Sequence, residues 1–171
     1  MDLKQSDNIL LVIGKTEGHL EQSLFLREIL SEKNGPPPEI NLFNEKNNGE
    51  TILKLIDKDF IKSAHDVSLG GILTALCNMC IKGKKGVTLK KPNYLIGKFE
   101  YLFGEDQGRY IVEIEKSNYQ EVTKILEKNS VYYDELGTVN DSELIIDDKS
   151  KVSIDDLIKS HNIWLTNYMS K

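Results

Sequence analysis

The sequence lacks an apolar run long enough to cross a bilayer, and it lacks an excess of positive charge. No stretch approaches the roughly 18 consecutive apolar residues that a membrane span needs. The 22 lysines and arginines are outnumbered by 27 aspartates and glutamates, which gives a net charge of −5. A chain of this charge is a poor general surface for polyanions. We therefore expect no nucleic-acid or membrane partner. The N-terminus has no signal-peptide pattern, so we expect a cytoplasmic protein.

Cysteine and histidine are also scarce, with 2 and 3 copies among 171 residues. Cys77 and Cys80 form a Cys-x-x-Cys pair, but no second pair completes a zinc site. Their spacing within an apolar helical run favours structural thiols, with metal or redox chemistry as the alternative. The histidines at 19, 65 and 161 do not stand beside a carboxylate cluster suited to a metal ion. The sequence therefore predicts no metal site.

Apolar periodicity predicts strands interspersed with helices, in a chain long enough for one compact domain. Residues 35–50 are predicted to be a surface loop, because they contain consecutive prolines and a polar run. Ser-initiated capping boxes at 117–120 and 153–156 predict two helix starts. The pattern indicates an α+β fold with a mixed or largely antiparallel sheet covered by helices. Strands are predicted at 9–13, 64–68, 86–90, around 110–114, 132–139 and 144–146, and helices at 20–30, about 50–61, 72–81, 119–126 and from 153, with 94–103 either helix or irregular turn.

The most informative stretch is His65-Asp66-Val67-Ser68-Leu69-Gly70-Gly71-Ile72, whose tandem glycines open an apolar helix. Because Gly70 and Gly71 have no Cβ, a ligand or a neighbouring strand can approach their amides. Those amides lie at the positive end of the helix dipole, which suits a phosphate or a carboxylate. Alternatively, the glycines only permit tight packing. His65 beside Asp66 is either a structural hydrogen-bonding pair or a group that polarises a ligand.

Four motifs in order resemble the C-terminal domain of the phosphoribosylformylglycinamidine synthase family, over about residues 8–164. HDVSLGGILTALCNM resembles that family's HDVSDGGL segment, and LLVIGKTEGHLEQSLFL resembles its strand, Gly-Glu-Thr turn and helix. LFGEDQGRYIVEI resembles its Leu-Phe-Ser/Gly-Glu-x-Gln-x-Arg segment, and Leu136-Gly137-Thr138-Val139 its Ile-Gly-x-Val. The same domain type occurs in aminoimidazole ribonucleotide synthetase, selenophosphate synthetase, thiamine-monophosphate kinase and a hydrogenase maturation protein. A domain of one of these relatives and an independent binding or assembly module are the alternatives.

The resemblance implies an ATP-dependent C–N ligase of purine biosynthesis. In its reaction ATP activates the amide oxygen of formylglycinamide ribonucleotide, and ammonia from glutamine displaces phosphate to give the amidine. The resemblance also implies that residues 1–171 form a single C-terminal domain without catalytic residues, and that the ATP-binding domains, which bind most of the ATP and Mg²⁺, lie outside this chain. The expected partners are those subdomains and a glutamine amidotransferase module. The chain alone is expected to be inactive.

Candidate substrate- or phosphate-binding residues also come from the resemblance. In the corresponding domain of that family's first half, a Glu-Ser-Gln segment touches substrate, which implies polar contacts here from the Glu-Asp-Gln segment. A structural alternative is an exposed ion pair between Glu105 and Arg109, which would contribute about 0 to 1 kcal/mol. The candidates are Asp66, Ser68, Gly70, Gly71, Glu105, Asp106 and Gln107.

Two departures from the family pattern affect the glycine segment. Leu69 replaces the acidic residue usual before the glycine pair, and Glu21-Gln22-Ser23 stands where Gly-Gly-Ser is common. An apolar side chain at position 69 neither holds a cation nor orients a polar ligand, so we interpret this segment as a scaffold. Sheets in these relatives pair around a pseudo-twofold axis, and an isolated copy is therefore expected to self-associate.

Overall fold

The computed structural model describes residues 1–170. Strands and helices alternate along the chain as far as the fourth α-helix, after which three strands in succession precede the last helix. A short π-helical turn spans Leu26–Leu30, and a 3₁₀ turn spans Lys116–Asn118. The strands are β1 (Ile9–Ile13), β2 (Ile61–Val67), β3 (Gly86–Leu89), β4 (Arg109–Ile114), β5 (Tyr133–Asn140), β6 (Glu143–Ile145) and β7 (Lys151–Ser153). The helices are α1 (Leu42–Asp57), α2 (Gly71–Gly83), α3 (Lys98–Phe103), α4 (Tyr119–Lys128) and α5 (Ile154–Met169).

All seven strands join one sheet in the order β2-β4-β1-β5-β3-β6-β7. β3 and β6 run parallel, whereas the other five neighbouring pairs are antiparallel. β1 lies between β4 and β5, with Val12 opposite Ile111 on one side and Asp134 on the other. β2 and β7 are the two edge strands. The predicted α+β fold with a mixed, largely antiparallel sheet is confirmed.

Helices cover both faces of the sheet, which explains the unbroken apolar sequence of β1. Leu10 and Val12 pack in a core with α2 and α5, while Ile9, Leu11 and Ile13 pack in a second core with α1 and α4. Successive side chains of a strand point to opposite faces, so a strand buried on both faces must be apolar at every position. All five residues of β1 are buried, as predicted from the run.

Helix α1 begins earlier than predicted. The predicted loop at 35–50 and the predicted helix bounds at 50–61 are therefore both wrong. The Asn41 side chain accepts a hydrogen bond from the Asn44 amide at 3.0 Å and starts the helix at Leu42. Asn44 and Lys46 in its first turns are exposed, whereas Asn48 is buried, so the polarity of this run does not mark a loop. The helix ends at Asp57, and Ile61 already belongs to β2.

Three other local predictions differ from the structure. The helix predicted at 20–30 is only a helical segment from Leu24 to Leu30, because residues 20–23 are irregular, with a turn at 21–22. The capping box at 117–120 is wrong, since α4 follows a 3₁₀ turn and Asn118 provides no side-chain cap. The box at 153–156 is confirmed, because Ser153 Oγ accepts a hydrogen bond from the Asp156 amide at 3.1 Å. The edge strand β7 was not predicted, since its three residues are too few to show a period.

Both cysteines lie on α2, and burial raises the pKa of the Cys77 thiol to about 11 and that of the Cys80 thiol to about 12. These values keep both thiols protonated near neutral pH, and a protonated thiol is a poor nucleophile and metal ligand.

No helix within residues 1–170 combines the length and the apolar character needed to cross a membrane.

A buried carboxylate in β4 holds the N-terminal segment against the sheet. Glu113 is 0% exposed. Its oxygens accept hydrogen bonds from the Lys4 amide at 2.9 Å, the Gln5 amide at 3.0 Å and Asn8 Nδ2 at 2.8 Å. Because each donor belongs to the first eight residues, this one side chain orders the segment that leads into β1.

Two leucines on α1 provide a test of the core that α1 shares with β1 and α4. Leu55 is fully buried, whereas Leu53 is 61% exposed. We expect Leu55→Ala to lower the free energy of unfolding by about 2 to 5 kcal/mol, because it removes buried methyl groups and leaves a cavity. The control Leu53→Ala should change it by less than about 0.5 kcal/mol. Urea denaturation measures both values, and equal losses would contradict this packing.

Candidate functional site

An open cleft of about 1150 Å³ lies beyond the end of β1, where β4 and β5 begin. Its first wall is the segment that follows β1, and its second wall is the segment that enters α1. Its floor is the turn before β4, together with Tyr132. The first wall contributes residues between 14 and 21, the second wall residues between 38 and 48, and the floor residues 106–108, 130 and 132.

The first wall is fixed by the carboxylate of Asp106. Its Oδ2 accepts hydrogen bonds from the Glu17 amide at 3.1 Å and the Gly18 amide at 3.0 Å, and its Oδ1 accepts one from the His19 amide at 3.0 Å. Three consecutive N–H groups that converge on one point form a concave anion-binding site in the backbone. In this chain, the side chain of Asp106, only 7% exposed together with its backbone, fills that site.

A buried arginine supports the turn from below. Arg109 is 1% exposed. Its guanidinium donates to the Asp106 carbonyl at 3.1 Å, to Thr16 Oγ1 at 3.1 Å and to the Gly104 carbonyl at 2.6 Å. Its Nη1 lies 3.5 Å from Asp106 Oδ2, and burial lowers the pKa of Arg109. The predicted exposed pair with Glu105 is therefore wrong, because Arg109 pairs with Asp106 and both side chains are buried.

The carboxylate of Glu105 lies at the start of α2. Its Oε1 accepts hydrogen bonds from the Gly70 amide and the Leu24 amide, both at 2.7 Å. The Glu105 backbone amide donates to the His19 carbonyl at 2.8 Å, so its main chain contacts the first wall as well. The amide of Gly70 therefore already has a carboxylate partner, supplied by the chain itself.

The glycine pair also permits a close approach between α2 and the end of α3. Gly71 has φ +66°, and a Cβ built there would lie 2.7 Å from the Gly104 carbonyl oxygen and 2.8 Å from the Leu102 carbonyl oxygen. These neighbours are backbone atoms and cannot swing away. The tight-packing interpretation of the glycines therefore has direct geometric support.

The predicted site residues fall into separate places. Gln107 is exposed on the cleft floor, and its Nε2 donates to the Glu105 carbonyl at 3.2 Å. Asp66 and Ser68 are exposed at the end of β2, and neither is among the residues that line the cleft. His65 Nδ1 lies 2.6 Å from the Asp66 carbonyl oxygen, which matches the structural pair. Contact of these residues with substrate or phosphate stays a prediction.

Sequence reasoning missed the second wall of the cleft. Asn48 on α1 is 6% exposed, and its Nδ2 donates to the Gly108 carbonyl at 2.9 Å, which joins this wall to the floor. The only sequence signal was the Asn41 N-cap, inside a segment predicted to be a loop. Lys15 and His19 on the first wall and Tyr132 on the floor were missed as well.

The buried carboxylates of Glu105 and Asp106 do not fit a Mg²⁺ site. Magnesium needs carboxylate oxygens that are free to coordinate it. The oxygens of Asp106 accept three backbone amides, and Oε1 of Glu105 accepts two. In the part of the chain that the structure describes, no three His, Cys, Asp or Glu side chains are grouped so as to hold a metal ion.

Comparisons with known proteins identify relatives of the whole chain. Residues 5–149 match the family model of AIR synthase related protein, C-terminal domain. The chain is 80% identical over 169 residues to phosphoribosylformylglycinamidine synthase subunit PurL of Pelagibacter ubique (strain HTCC1062), which covers 99% of this chain and 23% of the relative. The chain thus spans less than a quarter of the length of this curated relative.

Solved structures share the fold at low sequence identity. T. maritima PurL complexed with FGAR matches with a TM-score of 0.74 and 18% identity, over 92% of this chain and 29% of that one. E. coli HypE matches with a TM-score of 0.61 and 17% identity, over 87% of this chain and 49% of that one. These likenesses show the fold that the two kinds of protein have in common.

Two glycines provide a matched test of the packing at the start of α2. Gly71→Ala should destabilise the chain by about 1 to 3 kcal/mol, because it places a Cβ against backbone at a positive φ. Gly49→Ala on α1 is the control, since a Cβ there meets only Tyr110 Oη at 3.8 Å. Alanine should stabilise that helix by about 0.5 to 1 kcal/mol. Thermal denaturation measures both, and a neutral Gly71→Ala would contradict the close approach.

Proposed function

The chain belongs to the family of the C-terminal domain of AIR synthase related proteins, and from this we propose that it is one domain of a phosphoribosylformylglycinamidine synthase. The observation that carries the proposal is the high identity to the Pelagibacter PurL subunit along nearly the whole chain. The fold alone does not separate this enzyme from its relatives, because HypE shares it.

The whole protein, in this proposal, is a cytoplasmic ATP-dependent C–N ligase of purine biosynthesis. It converts formylglycinamide ribonucleotide and glutamine-derived ammonia to formylglycinamidine ribonucleotide. The T. maritima PurL structures complexed with FGAR and with ATP support a nucleotide and this substrate as ligands of the parent enzyme. Chemically, ATP supplies the activated phosphate whose departure drives formation of the C–N bond.

This chain contributes a scaffold and a ligand-facing surface to that enzyme. The carboxylates of Glu105 and Asp106 are occupied by backbone amides, and the described residues contain no cluster of three His, Cys, Asp or Glu side chains around a metal position. We therefore place the binding of ATP and Mg²⁺ mainly in domains outside this chain. The partners that this role requires are the remaining subdomains of the synthase and a glutamine amidotransferase module. In an isolated copy, exposed apolar residues of α5 such as Trp164 and Tyr168 favour self-association.

The surface that faces ligand is the cleft, and Gln107 is its leading contact residue. Gln107 is exposed on the floor, whereas the neighbouring carboxylates point into the chain. An exposed amide has one donor and one acceptor group to offer a polar substrate. Asp66, Ser68, Gly70 and Gly71 serve the scaffold in this proposal, in line with the tight packing at Gly71.

An activity assay of the isolated chain tests whether catalysis requires the domains outside this chain. The purified chain should consume no ATP in response to formylglycinamide ribonucleotide and ammonia. The full-length synthase that carries this domain, assayed under the same conditions, is the positive control. Turnover by the isolated chain would show that residues 1–171 contain the complete machinery and would overturn the proposal.

The role of Gln107 is tested in the full-length synthase. Gln107→Ala should lower kcat/KM for formylglycinamide ribonucleotide by about 2- to 10-fold, the loss expected for one hydrogen bond. Gln120→Ala is the matched control, because Gln120 is exposed on α4, away from the cleft. Steady-state kinetics with matched protein stability decides the question. Unchanged kcat/KM and unchanged substrate affinity would exclude the contact.

A further inference from the structure

We propose that Glu105 is a positioning residue that occupies, with its own carboxylate, the anion-binding position at the start of α2. It thereby closes that position to free anions and ties the first wall of the cleft to the helix. The importance of that wall for a ligand rests on the proposed function. The presence of the Glu105 carboxylate at the start of α2 does not depend on it.

One oxygen atom of Glu105 joins two distant segments of the chain. Oε1 of Glu105 accepts the Gly70 amide and the Leu24 amide, each at 2.7 Å. Gly70 precedes α2, and Leu24 follows the first wall of the cleft. Two segments that are far apart in the sequence therefore share one acceptor. Hydrogen bonds from amides to an ionised carboxylate are stronger than those between neutral groups, and the dipole of α2 strengthens the one from Gly70.

The residues around the start of α2 leave little room for any group other than the Glu105 carboxylate. Glu105 is 8% exposed, and the backbone of Gly104 lies so close to Gly71 that even one added carbon does not fit there. Arg109 donates to the Gly104 carbonyl and to the Asp106 carbonyl, which fixes the main chain on both sides of Glu105. The side chain is thus held in place by its own backbone.

Asp106, the residue after Glu105, holds the other end of the same wall segment. Asp106 binds the amides of residues 17–19, while Glu105 binds the amide of Leu24. The two carboxylates are adjacent in sequence, and they hold the segment of residues 17–24 near both of its ends. The wall is therefore positioned by two side chains of one turn, and a change at Glu105 should free one end only.

Removal of the Glu105 carboxylate should leave a vacant anion site. In Glu105→Ala the amides of Leu24 and Gly70 lose their acceptor, and the space of a carboxylate opens between them. Formate has the carboxylate group of the lost side chain and is small enough to enter that space. The wild-type chain offers formate no such space, because Glu105 fills it.

The experiment is amide hydrogen exchange of the chain, read by NMR, with and without sodium formate and with sodium chloride at equal ionic strength. In Glu105→Ala, exchange at Leu24 and Gly70 should become about tenfold faster, while the amides of β1 stay unchanged. Formate should restore the slow exchange at both amides in this variant and have no effect on the wild-type chain. Glu121→Ala, with an exposed side chain on α4, is the control and should behave as wild type.

Two outcomes would overturn the proposal. One is unchanged exchange at both amides in Glu105→Ala, and the other is formate binding at Gly70 in the wild-type chain. If Glu105→Ala does not fold, Glu105→Gln decides, because it keeps the shape and loses the charge. Its Leu24 and Gly70 amides should exchange faster than in wild type without any response to formate, and wild-type exchange in this variant would count against the proposal. No substrate is present, so the result is independent of synthase activity.

Discussion

The bond between a buried carboxylate and backbone amides is the interaction on which the irregular parts of this structure depend. Glu105, Asp106 and Glu113 each bind two or more backbone amides that are distant in sequence. A segment between strands cannot satisfy its amides within a ladder, and a buried unpaired amide is costly. The carboxylates supply the missing acceptors, and Arg109 offsets the charge of Asp106. The cleft therefore has a defined shape although its first wall contains no regular secondary structure.

The sequence predicts the parts of the fold that depend on one-dimensional patterns. β1 and α2 follow from an unbroken apolar run and from a glycine pair before an apolar helix, and the mixed sheet follows from the alternation of elements. The start of α1 does not follow, because a single Asn41 cap outweighs a polar, proline-flanked sequence. The capping box at 117–120 fails for the opposite reason, since a 3₁₀ turn takes the place of the expected helix start.

The candidate site shows the same limit at longer range. Family motifs draw attention to Gly70 and to Glu105, but they present both as partners of a ligand. The structure brings them together across 35 residues of sequence, so that each is the partner of the other. Periodicity and local spacing carry no information about such a contact. The second wall of the cleft was missed because recognition of Asn48 requires knowledge that its helix exists.

The two edges of the sheet bear on how the chain behaves at high concentration. An edge strand exposes unpaired backbone groups that can recruit a strand from another molecule and extend the sheet into a polymer. β7 offers only three residues for such growth. β2 is longer, but it carries Lys62 and Asp66, and charged groups along an edge oppose the addition of a further strand. Aggregation through the sheet is thus discouraged at one end by brevity and at the other by charge.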